Sequence, residues 1–408
     1  MPKKVPMPTL NKDDPAVLLR MGNIFLREEK FSEAANAYAK SILIDPKNAD
    51  AQFRLGLSHY HLKEFELAKK QFEIVLSLDH RYLNVNQCLA NYLLELRDHE
   101  KAMHYYFRQL EIEPWFETYY NIGILLMMKE RLKDALTYFD LALQKSPNDV
   151  ATILNFATIY LKQNKIDDAI FYYQKANTLK PNDAEIQHIL SALKQNKPAN
   201  KAPVEYVTHL FDQYAAYYDY HLTDRLKYTV PKKMLDIVQL EFPMISPESQ
   251  WVILDLGCGT GLCGTLFKPY AKKLMGVDLS ENMLHVAREK NCYDELLKKD
   301  IQDAVVQFSA VDLILAADVF TYIGDLKSIF LRIKQALKSQ GLFIFTVEKT
   351  VEKNFVLQQS IRYAHHKHTI ESLCAQCGFT ILRFENVELR LQEGRTVEGY
   401  IVACVNLD

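Results

Sequence analysis

The sequence predicts a multidomain chain, an all-α solenoid of helical hairpins followed by an α/β domain with a mainly parallel sheet. Three observations support this prediction. The chain has 408 residues, of which 49% are hydrophobic, so it can build more than one core. Small and aromatic residues recur every 33 or 34 residues over the first half. A glycine-rich turn then follows an apolar strand that ends at Leu256.

Four columns of residues define five helical repeats. Small residues let two helices cross closely, an aromatic residue fills the gap beside them, and a proline ends the second helix. Such hairpins must stack to bury their apolar faces. We therefore expect a solenoid over residues 14–195, closed by a capping helix at 183–195. The columns are Gly22, Gly56, Ala90, Gly123 and Ala157; Ala34, Ala68, Ala102, Ala135 and Ala169; Tyr38, Phe72, Tyr106, Phe139 and Tyr173; and Pro46, His80, Pro114, Pro147 and Pro181.

These repeats resemble tetratricopeptide repeats, whose concave groove holds a peptide or a partner protein. The resemblance implies recognition rather than chemistry for the first half. The paired basic residues of the carboxylate-clamp subtype are not filled, since Ala151 stands at one of the positions. Polar groove residues could bond an extended partner or simply be solvated. They are Asn23, Arg54, Asn91, Asn121 and Asn155.

An aromatic segment follows a linker at 196–203 that is rich in Lys, Asn, Ala and Pro. Phe211, Asp212, Ala215, Tyr218 and Asp219 resemble the leading helix of small-molecule methyltransferases, which folds over the cofactor as a lid. Ring faces could hold a methyl sulfonium and exclude water. Aromatic residues at helical spacing are equally typical of a packed core.

The glycine-rich turn predicts a site for an adenosine cofactor. Gly257, Gly259 and Gly261 let the backbone turn and approach a ligand, and Asp278 ends the next strand, spaced to bind ribose hydroxyls. The glycines also fit a dinucleotide fingerprint. Asp255 would repel a pyrophosphate and attract a cationic sulfonium ligand, which favours S-adenosylmethionine over NAD.

Residues 205–408 resemble a class I S-adenosylmethionine-dependent methyltransferase, which implies a Rossmann-like, seven-stranded sheet with a closing antiparallel hairpin. In that family the glycine loop wraps the methionine part of the cofactor. Met283 matches a residue packed on adenine, and Asp300 and Ile301 match the adenine edge. The expected cofactor-binding residues are Asp255, Gly257, Gly259, Gly261, Asp278, Met283, Asp300, Ile301 and Tyr218.

Four residues are expected on the acceptor side. Asp318 and Tyr322 follow the fourth strand, and ligands in open α/β sheets lie at the carboxyl ends of strands. Within Arg362–His368, His365 is the candidate base and Arg362 could bind a carboxylate or phosphate. The alternative for this segment is a set of surface histidines at the start of a helix.

The strands expected after the glycine loop include 342–347 and a closing pair at 379–387 and 397–405, joined through residues 393–395. Cys374 and Cys377 share the apolar face of one helix, so we expect buried thiols and no metal. More narrowly, the two halves together resemble the bacterial group of tetratricopeptide-repeat methyltransferases. In this chain Ile361 and His366 depart from that group's usual Gly and Ser, which leaves the substrate open.

Composition narrows the classes of function. A net charge of −2 argues against a general nucleic-acid binder. Seven scattered cysteines and no apolar run long enough to span a bilayer predict a cytoplasmic protein. We expect a methyltransferase that uses S-adenosylmethionine, whose repeats recruit a protein partner or substrate, with a small molecule or a protein as methyl acceptor. The alternative is an interaction scaffold with an inactive methyltransferase domain, and an NAD oxidoreductase ranks third.

Overall fold

The computed structural model describes residues 14–196, 199–215, 218–220, 222, 227–242, 245–246, 250–352, 354–392 and 395–407. The chain divides into two compact units, Met1–Tyr172 and Tyr173–Asp408. The division falls inside a helix of the fifth repeat, whereas the sequence predicts domains at 14–195 and 205–408; those limits stay a prediction. Lys197 and Pro198 of the predicted linker, and residues 393–394 of the predicted hairpin turn, lie outside the described residues.

The first unit consists of paired antiparallel helices, as the repeat columns predict. In Gly22, Gly56 and Gly123 an added Cβ would lie 2.5 to 2.6 Å from the ring of the aromatic residue 16 positions later. Each small residue is therefore required by the ring that packs against it. The helices of the repeats are α1 Pro15–Arg27, α2 Phe31–Ile44, α3 Ala49–His61, α4 Phe65–Leu78, α5 Val85–Glu95, α6 His99–Ile112, α7 Phe116–Met128, α8 Leu132–Lys145, α9 Val150–Lys162 and α10 Ile166–Leu179.

The turn inside each hairpin carries a feature that the columns do not reveal. One residue there adopts a left-handed backbone conformation with φ between 56° and 62°, and none of the five is glycine. This conformation ends the first helix of the pair and starts the second. The five residues are Glu29, Lys63, Arg97, Glu130 and Asn164. In the second repeat, where His80 stands in the proline column, helix α4 still ends at Leu78, so proline is not required to end this helix.

The second unit contains the α/β domain. Its sheet follows the order β3-β2-β1-β4-β5, with parallel neighbours, and β9 and β8 then add in antiparallel fashion. The strands are β1 Trp251–Leu256, β2 Ala271–Asp278, β3 Glu295–Lys298, β4 Val311–Ala316, β5 Leu337–Thr350, β6 Phe355–Leu357, β7 Tyr363–His366, β8 Phe379–Gln392 and β9 Arg395–Asn406. The predicted closing hairpin is confirmed, whereas the described sheet has nine strands instead of the predicted seven. Short β7 pairs with the last residues of β5 and short β6 pairs with β7, which the sequence did not predict.

Helices cover both faces of this sheet, so its central strands are buried and almost wholly apolar. The remaining helices are α11 Ala184–Leu193, α12 Val204–Tyr214, α13 Tyr218–Tyr220, α14 Val230–Glu241, α15 Leu262–Phe267, α16 Glu281–Glu289, α17 Ile301–Val305, α18 Lys327–Ala336 and α19 Lys367–Gln376. Cys374 in α19 and Cys377 at its carboxyl end are buried in the core. In the part of the chain that is described, no helix is both long and apolar enough to cross a membrane.

Candidate functional site

The glycine loop leaves β1 at its carboxyl end and takes the shape that the glycines predict. Gly257, Gly259 and Gly261 all have positive φ, at 67°, 53° and 90°. A Cβ on Gly257 would lie 2.3 Å from Cγ2 of Val319, whereas one on Gly259 would meet nothing closer than Tyr218 at 3.9 Å. The backbone at Gly259 therefore has open space in front of it, where a ligand can approach.

Tyr293 supports this loop from behind. Its ring would be hit by a Cβ on Gly261, Gly264 or Gly276, and its hydroxyl donates a 2.7 Å hydrogen bond to Oδ2 of Asp255. Burial raises the pKa of Asp255 to about 7, while the bond from Tyr293 works in the opposite direction. Sequence reasoning missed Tyr293, because its partner lies 38 positions away.

The loop faces a first cavity at the carboxyl edge of the sheet. Of the nine predicted cofactor-binding residues, six line it: Gly257, Gly259, Asp278, Asp300, Ile301 and Tyr218. Asp255, Gly261 and Met283 do not. Asp255 is buried beneath the loop, and Met283 is buried at the start of α16. Gly261 packs on the ring of Tyr293. Direct cofactor contacts by these three stay a prediction.

Asp278 lines this cavity and is held in place by two backbone amides. Its Oδ2 accepts a 2.9 Å bond from the amide of Gly259, and its Oδ1 accepts one of 2.9 Å from the amide of Ser280. Burial raises the pKa of the carboxyl group, and these backbone bonds oppose that shift. A carboxylate has further lone pairs, so Asp278 can still accept from the hydroxyls of a ribose.

The segment before α12 forms another wall of the first cavity, which the sequence reading as a linker did not anticipate. Lys201 lines the cavity and pairs with Asp300. The same segment is also hydrogen-bonded to the loop after β4. The amide of Ala202 donates to the carbonyl of Tyr322 at 2.9 Å, and the amide of Gly324 donates to the carbonyl of Asn200 at 2.8 Å.

Helix α12 covers the carboxyl edge of the sheet. Phe211 lines the first cavity and packs edge-on against Tyr322, with ring centroids 5.5 Å apart. Oδ1 of Asp212 accepts from the hydroxyl of Ser280, which fixes the helix to the start of α16. These contacts agree with the lid interpretation of the aromatic segment. Ala216, Tyr217 and His221 of that segment lie outside the described residues.

A second cavity adjoins the first and contains three of the four predicted acceptor-side residues, Asp318, Tyr322 and Arg362. Phe211, Tyr218, Asp318 and Tyr322 line both cavities. Asp318 has the unusual φ of 57°, which its backbone bond to Oγ1 of Thr346 helps to hold. A ligand in the first cavity can therefore present a group to the second past these shared residues.

Arg390 holds the floor of the second cavity and was missed from sequence. Its Nη1 donates a 2.8 Å bond to Oδ2 of Asp318, and its Nη2 donates to Oε1 of Glu348. Burial works to lower the pKa of Arg390, but the two carboxylates raise it above its usual value. The arginine thus stays charged and keeps Asp318 in place.

The structure places His365 outside the linings of both cavities, so it does not support the predicted role as a base, which stays a prediction. It lies in β7, is 1% exposed, and lines neither cavity. Its Nε2 is 3.0 Å from the carbonyl of Gly324, and burial lowers its pKa to about 4. The segment forms a strand that ends before α19 begins, so the ring packs inside the domain instead of facing ligand.

Polar residues of the repeats are largely bonded to tyrosines. The hydroxyl of Tyr38 donates to Oδ1 of Asn23 at 2.8 Å, and that of Tyr106 donates to Oδ1 of Asn91 at 2.7 Å. Nδ2 of Asn121 donates to the Tyr106 hydroxyl at 3.0 Å. These amides have intramolecular partners already, which limits what they can offer a bound peptide.

Known families match both halves of the chain. A methyltransferase domain model matches residues 254–345, and tetratricopeptide-repeat models match residues 10–63, 50–79 and 126–193. The chain combines tetratricopeptide repeats with a class I S-adenosylmethionine-dependent methyltransferase domain. S-adenosylmethionine is therefore the cofactor of this domain, as the glycine loop and Asp278 predicted.

Three curated relatives are similar to the methyltransferase half. A protein named as a methyltransferase from Geobacillus sp. strain WCH70 is 32% identical over 116 residues, which are 27% of this chain and 47% of the relative. A malonyl-[acyl-carrier protein] O-methyltransferase from Serratia marcescens is 27% identical over 23% of this chain and 37% of its own length. Phosphoethanolamine N-methyltransferase 2 from Caenorhabditis elegans is 29% identical over 35% of each. The chain thus spans less than half the length of these relatives.

Proposed function

We propose that this protein transfers a methyl group from S-adenosylmethionine to an acceptor bound in the second cavity. The observation that supports this most strongly is the shared wall between the two cavities. Phe211, Tyr218, Asp318 and Tyr322 line both, so an acceptor in the second cavity meets a cofactor in the first across one row of side chains. When bound, the cofactor supplies an electrophilic methyl group on a positively charged sulfur.

The residues of the first cavity fit this cofactor. Asp278 offers carboxylate oxygens to the ribose hydroxyls, and Ile301 offers an apolar surface beside Asp300 for the adenine. The open space in front of Gly259 gives room for the chain that carries the sulfur. Lys201 pairs with Asp300 in this cavity, so the charge of the Asp300 carboxylate beside the expected adenine position is partly neutralised.

The chain contributes mainly positioning to the reaction. Methyl transfer is an in-line displacement that needs the acceptor atom about 3 Å from the methyl carbon. Asp318, held by Arg390 and Thr346, is the one carboxylate among the described lining residues of the second cavity. We assign to it the orientation of the acceptor and the acceptance of a proton from it where one is released. Aromatic rings of Phe211 and Tyr218 exclude water from this point.

We further propose that the repeats recruit a protein that is substrate, carrier or regulator. The match of three repeat models supports a binding role for this half. The names of the curated relatives do not fix the acceptor, since one is an O-methyltransferase and another an N-methyltransferase. An inactive scaffold is the competing function, and the intact loop and Asp278 weigh against it.

The test is production of S-adenosylhomocysteine by the purified chain in a cell extract, with Asp278→Ala as the matched control. We expect turnover that depends on added extract and falls at least tenfold in the variant. Partner capture by the wild type without any turnover would favour the scaffold. Equal turnover by wild type and Asp278→Ala would contradict the proposed role of the first cavity.

A further inference from the structure

The second cavity holds two arginines that differ in their partners. Arg390 is 5% exposed and already faces two carboxylates, through the bonds to Asp318 and Glu348. Its charge is therefore more than neutralised inside the protein. Arg390 is a fixed part of the cavity floor and has little left with which to attract an acceptor.

Arg362 is placed differently. The one described hydrogen bond of its side chain runs from Nη1 to Oε1 of Gln392 at 3.3 Å, and its nearest carboxylate oxygen, Oε1 of Glu348, is 3.8 Å away. A distance of 3.8 Å is too long for a hydrogen bond, and that oxygen already accepts from Arg390. Since a guanidinium has five N–H donors, most of those of Arg362 have no described protein acceptor.

The surroundings make Arg362 a strong binding group. Its side chain is 25% exposed, so the charge is partly removed from water yet reachable from the cavity. A planar guanidinium in such a setting binds a carboxylate or phosphate through two parallel hydrogen bonds. Gln213 and Gln392 also line the cavity, and their side-chain amides are further N–H donors for an anion.

The charge balance agrees with an anionic acceptor. Asp318, Glu348, Arg362 and Arg390 together sum to zero formal charge. S-adenosylmethionine brings one net positive charge into the neighbouring cavity. Asp278 in the first cavity can offset that charge, and a negative group on the acceptor would add to this compensation, because opposite charges attract strongly where water is excluded.

We propose that the methyl acceptor carries a carboxylate or phosphate-ester group that Arg362 binds, with an apolar or aromatic body against Phe211, Tyr218 and Leu391. The proposal rests on the proposed function, since it names the class of substrate for the same site. Phe211 and Tyr218 belong to the aromatic segment that covers the cavity, Arg390 and Leu391 are neighbours in β8, and Arg362 directly precedes β7. Such an acceptor is a small amphiphilic anion or a protein residue modified to resemble one.

Binding of simple probes to the full chain tests this inference. The protein is first saturated with S-adenosylhomocysteine, and ligand-observed NMR then measures its affinity for benzoate, phenyl phosphate and the neutral benzamide. We expect at least one anion to bind and benzamide to bind tenfold more weakly or not at all. Benzoate alone would indicate a carboxylate acceptor, and phenyl phosphate alone a phosphate ester.

Variants give the residue-level test. Arg362→Gln should weaken the bound anion at least tenfold, Arg362→Lys should recover part of this loss, and Arg288→Gln should leave it unchanged. Arg288 is a matched control because its pair with Glu281 is about half exposed and lies outside both cavities. Equal affinity for benzamide, absence of anion binding, or binding that survives Arg362→Gln would overturn the inference. These results are distinct from failure of the proposed function, in which S-adenosylhomocysteine itself would not bind.

Discussion

Replacing Arg390 by methionine is expected to destabilise the second unit strongly. The side chains of Arg390 and Glu348 are 3% and 4% exposed, and that of Asp318 is 15% exposed. Methionine fills a similar volume but leaves two carboxylates close together, with the Arg362 guanidinium, 3.8 Å from Glu348, as the remaining described cation beside them. Removing one partner from a buried ion pair costs about 3–5 kcal/mol. For a unit of this size, that corresponds to a fall in Tm of roughly 6 to 20 °C.

The two tryptophans of the chain allow this unit to be followed on its own. Trp115 precedes α7 in the first unit, and Trp251 begins β1 and packs against Phe242 with ring centroids 6.0 Å apart. In a Trp115→Phe background, the fluorescence of Trp251 reports unfolding of the second unit. Urea titration then gives its free energy of unfolding with and without Arg390→Met.

Two further variants separate charge from packing. Adding Glu348→Gln to Arg390→Met should recover part of the loss, because one of the two stranded charges is removed. Arg288→Met, at a half-exposed surface pair, should change the free energy of unfolding by less than about 1 kcal/mol. A loss for Arg390→Met no larger than that of Arg288→Met would refute the reasoning.

Three other predictions use the same Trp115→Phe background. Burial raises the pKa of Asp255 to about 7, so the unfolded chain releases this proton near pH 4 and the folded unit near pH 7. The free energy of unfolding should therefore fall as pH rises through that window, by roughly 4 kcal/mol in full. Asp255→Asn should flatten this dependence in urea titrations at pH 5 and 8, and an unchanged dependence would contradict the prediction. Burial lowers the pKa of His188 to about 4, so the contribution of its neutral ring to stability is complete above pH 6.5 and is lost as pH falls towards 4. The ring in His188→Phe would keep the packing on Tyr206 and Tyr363. This variant should lose less free energy of unfolding than the wild type between pH 7 and 5. Gly257→Ala should cost more than Gly259→Ala, since both strain a positive φ by about 1–2 kcal/mol but only Gly257 also meets Val319; equal losses in urea titration would count against the close contact.

Features set by local chemistry could be predicted from the sequence. Glycine adopts a positive φ more easily than other residues, so the closely spaced Gly257, Gly259 and Gly261 after an apolar strand indicate a sharp turn. The small residues of the repeats are recognisable because each faces one ring at a fixed offset, as in Gly22 and Tyr38. Both patterns can be recognised because the residues involved stand at fixed, short spacings along the chain.

Features that depend on distant packing could not be predicted. Tyr293 and Lys201 reach the site from elements that carry no motif, and their partners lie far away along the chain. Arg390 fell beyond the expected end of its strand, although the alternation Leu389, Arg390, Leu391 is typical of a strand that continues. The burial of His365 could not be predicted, because its sequence context does not say which side of a short strand it occupies.

Isothermal titration of S-adenosylmethionine and NAD against the wild type and Asp278→Ala tests the central claim most directly. The account predicts that S-adenosylmethionine binds, that NAD does not, and that the substitution weakens binding at least tenfold, because Asp278 lines the first cavity with a carboxylate held for the ribose hydroxyls. Binding of NAD instead, or binding of S-adenosylmethionine that is equally tight in the variant, would contradict it.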